Sequence, residues 1–166
     1  MRGDEIIRDV LDIARPQAES KDISLAYTPC GPEWLFNVDY DHLRTAIMNI
    51  VSNSVKYTPD GGSVLVSIEL AGGFVNIIVQ DTGIGIDPKH VPRLTERFYR
   101  VDRGRSRDAG GTGLGLAIVK HTLNRHQAQL DIKSTPGVGS RFSARFAAHR
   151  VDVSLQRRVA QPAENR

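Results

Sequence analysis

The chain has 166 residues, 40% of them hydrophobic and only 6% aromatic. That is enough for one domain with a real core, built mainly from Ile, Val, Leu and Ala. Lys and Arg total 22 against 19 Asp and Glu, a formal charge of +3, too small an excess to argue for nucleic acid by itself. The single cysteine, Cys30, excludes an intrachain disulfide and implies a reducing compartment, and no Cys/His spacing resembles a zinc site. The N-terminus lacks a signal-peptide core and no apolar run approaches the ~20 residues of a membrane helix, so the chain reads as soluble while its parent need not be.

In chain order, residues 5–20 carry Ile6, Ile7, Val10, Leu11 and Ala14 at helical spacing, interrupted by Pro16, and predict a helix that leans on something else. Ile23–Tyr27 alternates as a strand, and a Pro/Gly turn leads to a second strand at Trp34–Val38. Asp39 is placed to cap a helix ending near Tyr57, before Pro59-Asp60-Gly61-Gly62. Ser63–Leu70 and Phe74–Gln80 form a hairpin across Ala71-Gly72-Gly73. A Gly-rich turn and a short helix from Pro88 follow. Residues 97–112, rich in Arg and Gly, read as a mobile loop. A helix is expected over Gly113–His126, then strands at Gln129–Ser134 and Ser140–Ala147 around Pro136-Gly137-Val138-Gly139. The polar tail, 148–166, reads as disordered. Helices alternating with antiparallel hairpins predict an α/β (α+β) two-layer sandwich, a mixed sheet with helices on one face.

Three segments carry chemistry. Asn49, Asn53 and Lys56 stand at i, i+4 and i+7, which on a helix turning about 100° per residue puts them on one polar face. Leu43, Ile47, Ile50 and Val51 fall on the opposite, core side. A solvated face is the plain reading of that stripe; carboxamide ligation of Mg²⁺, shared with phosphates that Lys56 neutralises, is the functional one. Tyr57 is suited to stacking on a flat base. Asp81-Thr82-Gly83-Ile84-Gly85-Ile86 ends a strand with a carboxylate able to accept from an exocyclic amine, beside glycines that permit close approach; an ordinary capped turn is the alternative. The cluster Gly110-Gly111-Thr112-Gly113-Leu114-Gly115-Leu116 opens a helix whose free N–H groups suit phosphates. Before it, Arg93, Arg97, Arg100, Arg103, Arg105 and Arg107 outnumber Glu96, Asp102 and Asp108. Such a run is often a solvated face, but it can close over a triphosphate, with Phe98 and Tyr99 as its apolar foot. The P-loop lysine, the dinucleotide fingerprint and the Ser/Thr/Tyr-kinase motifs are all absent.

Taken in order, these segments resemble the catalytic domains of sensor histidine kinases, of the wider family shared with gyrase, Hsp90 and MutL. Asn49–Tyr57 is similar to the N box, Asp81–Gly85 to the G1 box, Arg97–Arg100 to the F box and Gly111–Gly115 to the G2 box. Gly137-Val138-Gly139-Ser140 with Phe142 resembles the last Gly-rich turn, and Arg93–Asp102 is similar to a segment of phosphate-regulon sensor kinases. The resemblance implies a Bergerat-type ATP-binding fold and the cofactors ATP and Mg²⁺. By position Asn53 is the metal ligand and Asn49 its neighbour. Lys56 and Arg100 face phosphates, Tyr57 packs near the base, and Asp81 binds the adenine amino group. Gly83, Gly85, Ile86, Phe98, Tyr99, Gly111, Thr112, Gly113, Leu114, Gly115 and Leu116 complete the nucleotide site.

One element of that family is missing. Its acceptor motif sets a His before an acidic residue with a Pro shortly after, and none of His42, His90, His121, His126 and His149 has that setting. The chain is therefore expected to be a fragment: residues 1–20 the end of a helical dimerisation or linker segment, 21–147 the ATP-binding catalytic domain, and 148–166 the tail. Its implied partners are its own histidine-bearing dimerisation domain and the receiver domain of a response regulator, with no nucleic acid. The fragment is expected to be a monomer and its parent a homodimer. The domain is expected in the cytoplasm, on a parent anchored in the plasma membrane. A gyrase- or Hsp90-like ATPase and a Ser-kinase anti-sigma factor are the alternatives on the same fold.

Overall fold

The computed structural model describes residues 1–29, 31–101 and 112–154. Helix α1 spans Gly3–Ser20 and buries Ile6, Ile7, Val10, Leu11, Ala14 and Ala18 along one stripe. Pro16 lies within it without ending it. Its ring is exposed, so the missing N–H costs a hydrogen bond only on the solvent side. The helix stops where Asp22 turns to φ 53° and the Ile23 N–H returns to the Ala18 carbonyl at 2.8 Å.

Helix α2 spans Tyr40–Tyr57; as expected, Asp39 caps it, its carboxylate accepting from the His42 N–H at 3.0 Å. It buries Leu43, Ala46, Ile47, Ile50, Val51 and Val55. Helices α1 and α2 lie side by side and parallel. The Tyr40 hydroxyl bonds Asp9 near their starts, and Lys21 reaches the last carbonyls of α2 at their ends. Residues 1–20, read from the sequence as the end of a linker from another domain, thus belong to this domain's core. The periodicity showed that the stripe needed a surface; it could not show that α2 supplies it.

The strands are β1 (Ser24–Thr28), β2 (Glu33–Phe36), β3 (Ser63–Ala71), β4 (Phe74–Asp81), β5 (Gln129–Thr135), β6 (Gly139–Ala147) and β7 (Val151–Ser154), with helix α3 (Gly115–Arg125) before β5. The expected short helix after Pro88 is a single 3₁₀ turn, Val91–Arg93, and α3 starts two residues later than predicted because Gly113 has φ 74°. Five strands form one mixed sheet in the order β1-β3-β4-β6-β5. Only β1 and β3 are parallel, Ser24 facing Ser63; β3–β4, β4–β6 and β6–β5 are antiparallel. Val64, Val66, Ile68, Val75, Ile77, Val79, Phe142, Ala144 and Phe146 point to the helices and are buried. The opposite face is largely polar, with Glu69 paired to Arg141 at 2.8 Å and the Arg145 guanidinium 4.2 Å over the Phe74 ring. This is the expected two-layer sandwich.

Residues 148–154 differ from the reading of a disordered tail. A 3₁₀ turn at Ala148–Arg150 leads into β7, which pairs antiparallel with β2 in a separate two-stranded ribbon, Val151 opposite Phe36. Val151 is buried against the core while Asp152 and Val153 are exposed, so one apolar side chain anchors the strand and its short pattern was hidden in a polar tail. Residues 155–166 lie outside the described residues. Among the described residues no helix is long and apolar enough to cross a membrane.

Candidate functional site

Helix α2 presents Asn49, Asn53 and Lys56 away from its buried stripe, into a cavity of ≈ 810 Å³. That volume is ordinary for a small-molecule site. The Asn49 amide group donates to the Thr45 carbonyl at 3.0 Å, which turns its oxygen forward. A Cβ placed on Gly115 would sit 3.0 Å from that oxygen and 3.9 Å from the Asn53 amide nitrogen. Glycine at this point lets the start of α3 come right up to the two carboxamides.

The end of α2 is held from outside. The Lys21 ammonium donates to the carbonyls of Val55, Lys56 and Thr58 at 2.8, 3.0 and 2.7 Å, where a helix otherwise leaves acceptors orphaned. This clamp fixes the turn that carries Lys56 and Tyr57. Lys56 itself lies 5.2 Å from the centre of the Tyr57 ring.

At the other end of the cavity, Asp81 closes β4 and is 7% exposed. Its Oδ1 accepts from the Gly83 N–H at 2.8 Å and the Ser140 N–H at 3.1 Å, so the carboxylate is fixed in place by two backbone groups. The turn after it lies against the β5–β6 hairpin. A Cβ on Gly85, at φ 72°, would stand 2.1 Å from the Thr135 carbonyl oxygen, and one on Gly139 would stand 2.0 Å from the Asp81 carbonyl oxygen. The Gly137 N–H also donates to the Ile84 carbonyl at 2.8 Å. No side chain fits between these two backbones, which is why glycines stand there.

The segment from His90 to Val101 forms the third wall. The Tyr99 hydroxyl bonds His90, and the Arg93 guanidinium lies 4.5 Å over the Tyr99 ring while pairing with Glu96 at 3.2 Å. The Phe98 N–H donates to the Gly113 carbonyl at 2.9 Å, tying this segment to the start of α3. Phe98 has φ 63° and is 68% exposed.

Most residues expected at a nucleotide site thus line one cavity: Asn49, Asn53, Lys56 and Tyr57; Asp81, Gly85 and Ile86; Tyr99 and Arg100; Thr112, Gly113, Gly115 and Leu116. Gly83 stands behind the carboxylate, and Leu114 is outside the lining. Phe98 faces a smaller recess of ≈ 380 Å³ with Arg93 and Arg97. Gly111 and the arginines at 103, 105 and 107 lie outside the described residues. The sequence reading missed Gln17, Ser52, Ile84, Leu94, Val101, Ile118 and Phe142 as lining residues, and Ser140 as the donor that orients Asp81. Ser52 lies between Asn49 and Asn53 and had a positional signal; Gln17 sits on α1 and had none.

The donor set suits a purine nucleoside triphosphate with a hard cation. Carboxamide oxygens fit Mg²⁺, a carboxylate with both backbone bonds on one oxygen suits an amino group, and the N-terminus of α3 suits phosphates. The family model described as "Histidine kinase-, DNA gyrase B-, and HSP90-like ATPase" matches residues 38–150. The chain belongs to this family. The phosphate regulon sensor protein PhoR of Pseudomonas aeruginosa is 58% identical over 109 residues, 66% of this chain and 25% of that protein. The sensor-like histidine kinase SenX3 of Mycolicibacterium smegmatis is 41% identical over 146 residues, 84% of this chain and 36% of that protein. The mycobacterial sensor histidine kinase MprB superposes with a TM-score of 0.74 at 27% identity, covering 88% of this chain and 94% of that structure. Full-length ShkA, solved in complex with AMPPNP, gives a TM-score of 0.73 at 30% identity, covering 87% of this chain and 29% of that one. The match falls on the ATPase domain of that family, and the chain spans 25% and 36% of the length of the two curated relatives above.

Proposed function

We propose that this chain binds Mg-ATP in the α2–α3 cavity and supplies the phosphoryl-donor half of a histidine kinase whose acceptor histidine lies on another domain of a longer protein. The observation that carries this reading is the meeting, in one cavity, of the α2 carboxamides, Lys56, the fixed Asp81 carboxylate and the N-terminus of α3. Asp81 accepts from the adenine amino group, and Tyr57 and Ile86 flank the base. Lys56 and Arg100 neutralise phosphate charge, and Thr112 and the α3 N–H groups donate to phosphate oxygens. Asn53, with Asn49 beside it, would hold Mg²⁺, which would supply positive charge to the phosphates during transfer.

In the transfer the bond from the γ-phosphorus to its bridging oxygen breaks as a phosphorus–nitrogen bond to the imidazole forms. ADP leaves with the bond pair, and the imidazole proton passes to a base on the acceptor side. Positioning and charge neutralisation are this chain's contribution. The partners are its own dimerisation domain and a response-regulator receiver domain, on a homodimeric parent held at the plasma membrane.

Calorimetric titration tests this directly. The chain should bind ATP far more tightly with Mg²⁺ than with a chelator present, and Asn53→Ala should remove the Mg²⁺ dependence. It should not label itself from γ-labelled ATP. Unchanged affinity on chelation would remove the carboxamides from the site; labelling at a histidine would place the acceptor within the chain; steady hydrolysis would favour an ATPase of the same family.

A further inference from the structure

Ser134 lies on β5, outside the cavity lining, yet it stands at the crossing of the two loops that form the base end. Its hydroxyl accepts from the Ile86 N–H at 2.8 Å, lies 3.1 Å from the Gly139 carbonyl oxygen, and is 2.8 Å from the Ser140 hydroxyl. Ser140 lines the cavity, and its N–H holds the Asp81 carboxylate.

A hydroxyl has one proton and two lone pairs. The Ile86 N–H takes a lone pair of Ser134. The Gly139 carbonyl can only accept, so it takes the Ser134 proton. The Ser134–Ser140 contact must then be made with the proton of Ser140. What Ser140 has left for the cavity is lone pairs. Beside it stands Asp81, as a carboxylate also an acceptor only. The base end therefore offers acceptors from two adjacent side chains. At position 6 a 6-amino purine presents N–H donors to such a wall, whereas a 6-oxo purine presents another acceptor there.

We propose that Ser134 is a positioning residue for base selectivity: by taking the proton of Ser140 it keeps the wall beside Asp81 acceptor-only, and so favours 6-amino over 6-oxo purine nucleotides. This rests on the nucleotide reading of the cavity. Without Ser134 the Ser140 hydroxyl is free to turn its proton into the site and donate to a 6-oxo group. A buried donor–acceptor mismatch discriminates strongly between ligands, because the unmatched group has lost its water.

The experiment measures Kd for Mg-ATP and Mg-GTP by calorimetry on the chain and on Ser134→Ala, Ser140→Ala and the double variant. The unaltered chain should prefer ATP. Ser134→Ala should narrow that preference by about tenfold, the factor that roughly one hydrogen bond supplies. Ser134→Thr, which keeps the hydroxyl, should restore it. Because Ser134 acts through Ser140, the double variant should show the same ratio as Ser140→Ala alone. An unaltered chain with no preference for ATP would sink the nucleotide reading itself. A preference that survives Ser134→Ala, or equal weakening of both nucleotides, would overturn the relay while leaving that reading intact. Should Ser134→Ala fail to fold, the ratio in Ser134→Thr and Ser140→Ala still decides: loss of selectivity in the first, or its full retention in the second, overturns the proposal.

Discussion

Gly85 and Gly72 both have positive φ, but their surroundings differ. A Cβ at Gly72 meets nothing within 4 Å, whereas at Gly85 it meets the Thr135 backbone at 2.1 Å. Gly72→Ala should therefore cost only conformational strain, about 1 kcal/mol, and leave nucleotide affinity unchanged. Gly85→Ala must push the base-end turn off the β5–β6 hairpin. It should cost roughly 2–4 kcal/mol and also weaken ATP binding. Urea unfolding and titration of both variants separate the two; equal costs would mean that the turn is free to move. The sequence showed that Asp81 stands beside glycines. It did not show the contact across to Thr135, because the two residues belong to elements far apart in the chain and meet only once β4 and β6 pair.

At the scale of elements, α2 is the most exposed to outside support. Lys21 satisfies two of its last carbonyls and that of the capping Thr58, so Lys21→Met leaves acceptors partly buried and unpaired. A loss of roughly 2 kcal/mol is expected, read as a lower urea midpoint at constant slope, with weaker nucleotide binding through Lys56 and Tyr57. A midpoint unchanged from the unaltered chain would mean that water replaces the ammonium. The start of α2 meets the end of α3, where the His42 and His126 rings lie 5.8 Å apart. Burial first, and then the neighbouring His42, holds the His126 pKa below its usual 6.5. The folded state thus keeps His126 neutral where the unfolded chain takes up a proton. Stability should fall as pH drops below about 6.5 and recover above it. Unfolding midpoints at pH 7.5 and 5.5 should differ less in His126→Gln; an identical difference would assign the effect elsewhere. Helix α2 was legible because its core stripe, cap and polar face all point the same way. Helix α1 was legible as a helix but not as a core element, and β7 not at all, since its pairing with β2 depends on a single anchoring valine.

For the whole molecule, the family and the sandwich were legible from motif order, while the cavity wall from α1 was not. The site draws on α2, the β4 turn and the start of α3, which only the folded sheet brings together. Nucleotide should therefore bind the native state alone. At a free Mg-ATP concentration a hundred times Kd the gain is about 2.7 kcal/mol, or a rise of roughly 5–10 °C in Tm for a chain of this size. A Tm indifferent to Mg-ATP would count against the binding. The parallel pairing of β1 with β3 carries this further. Ser24 reaches Ser63 only across β2 and the whole of α2. Pairing across such a crossover is slow to form. Mg-ATP should accordingly slow unfolding and leave the folding rate unchanged, and stopped-flow refolding and unfolding with and without nucleotide would check it; a faster folding rate with nucleotide would count against this order of events.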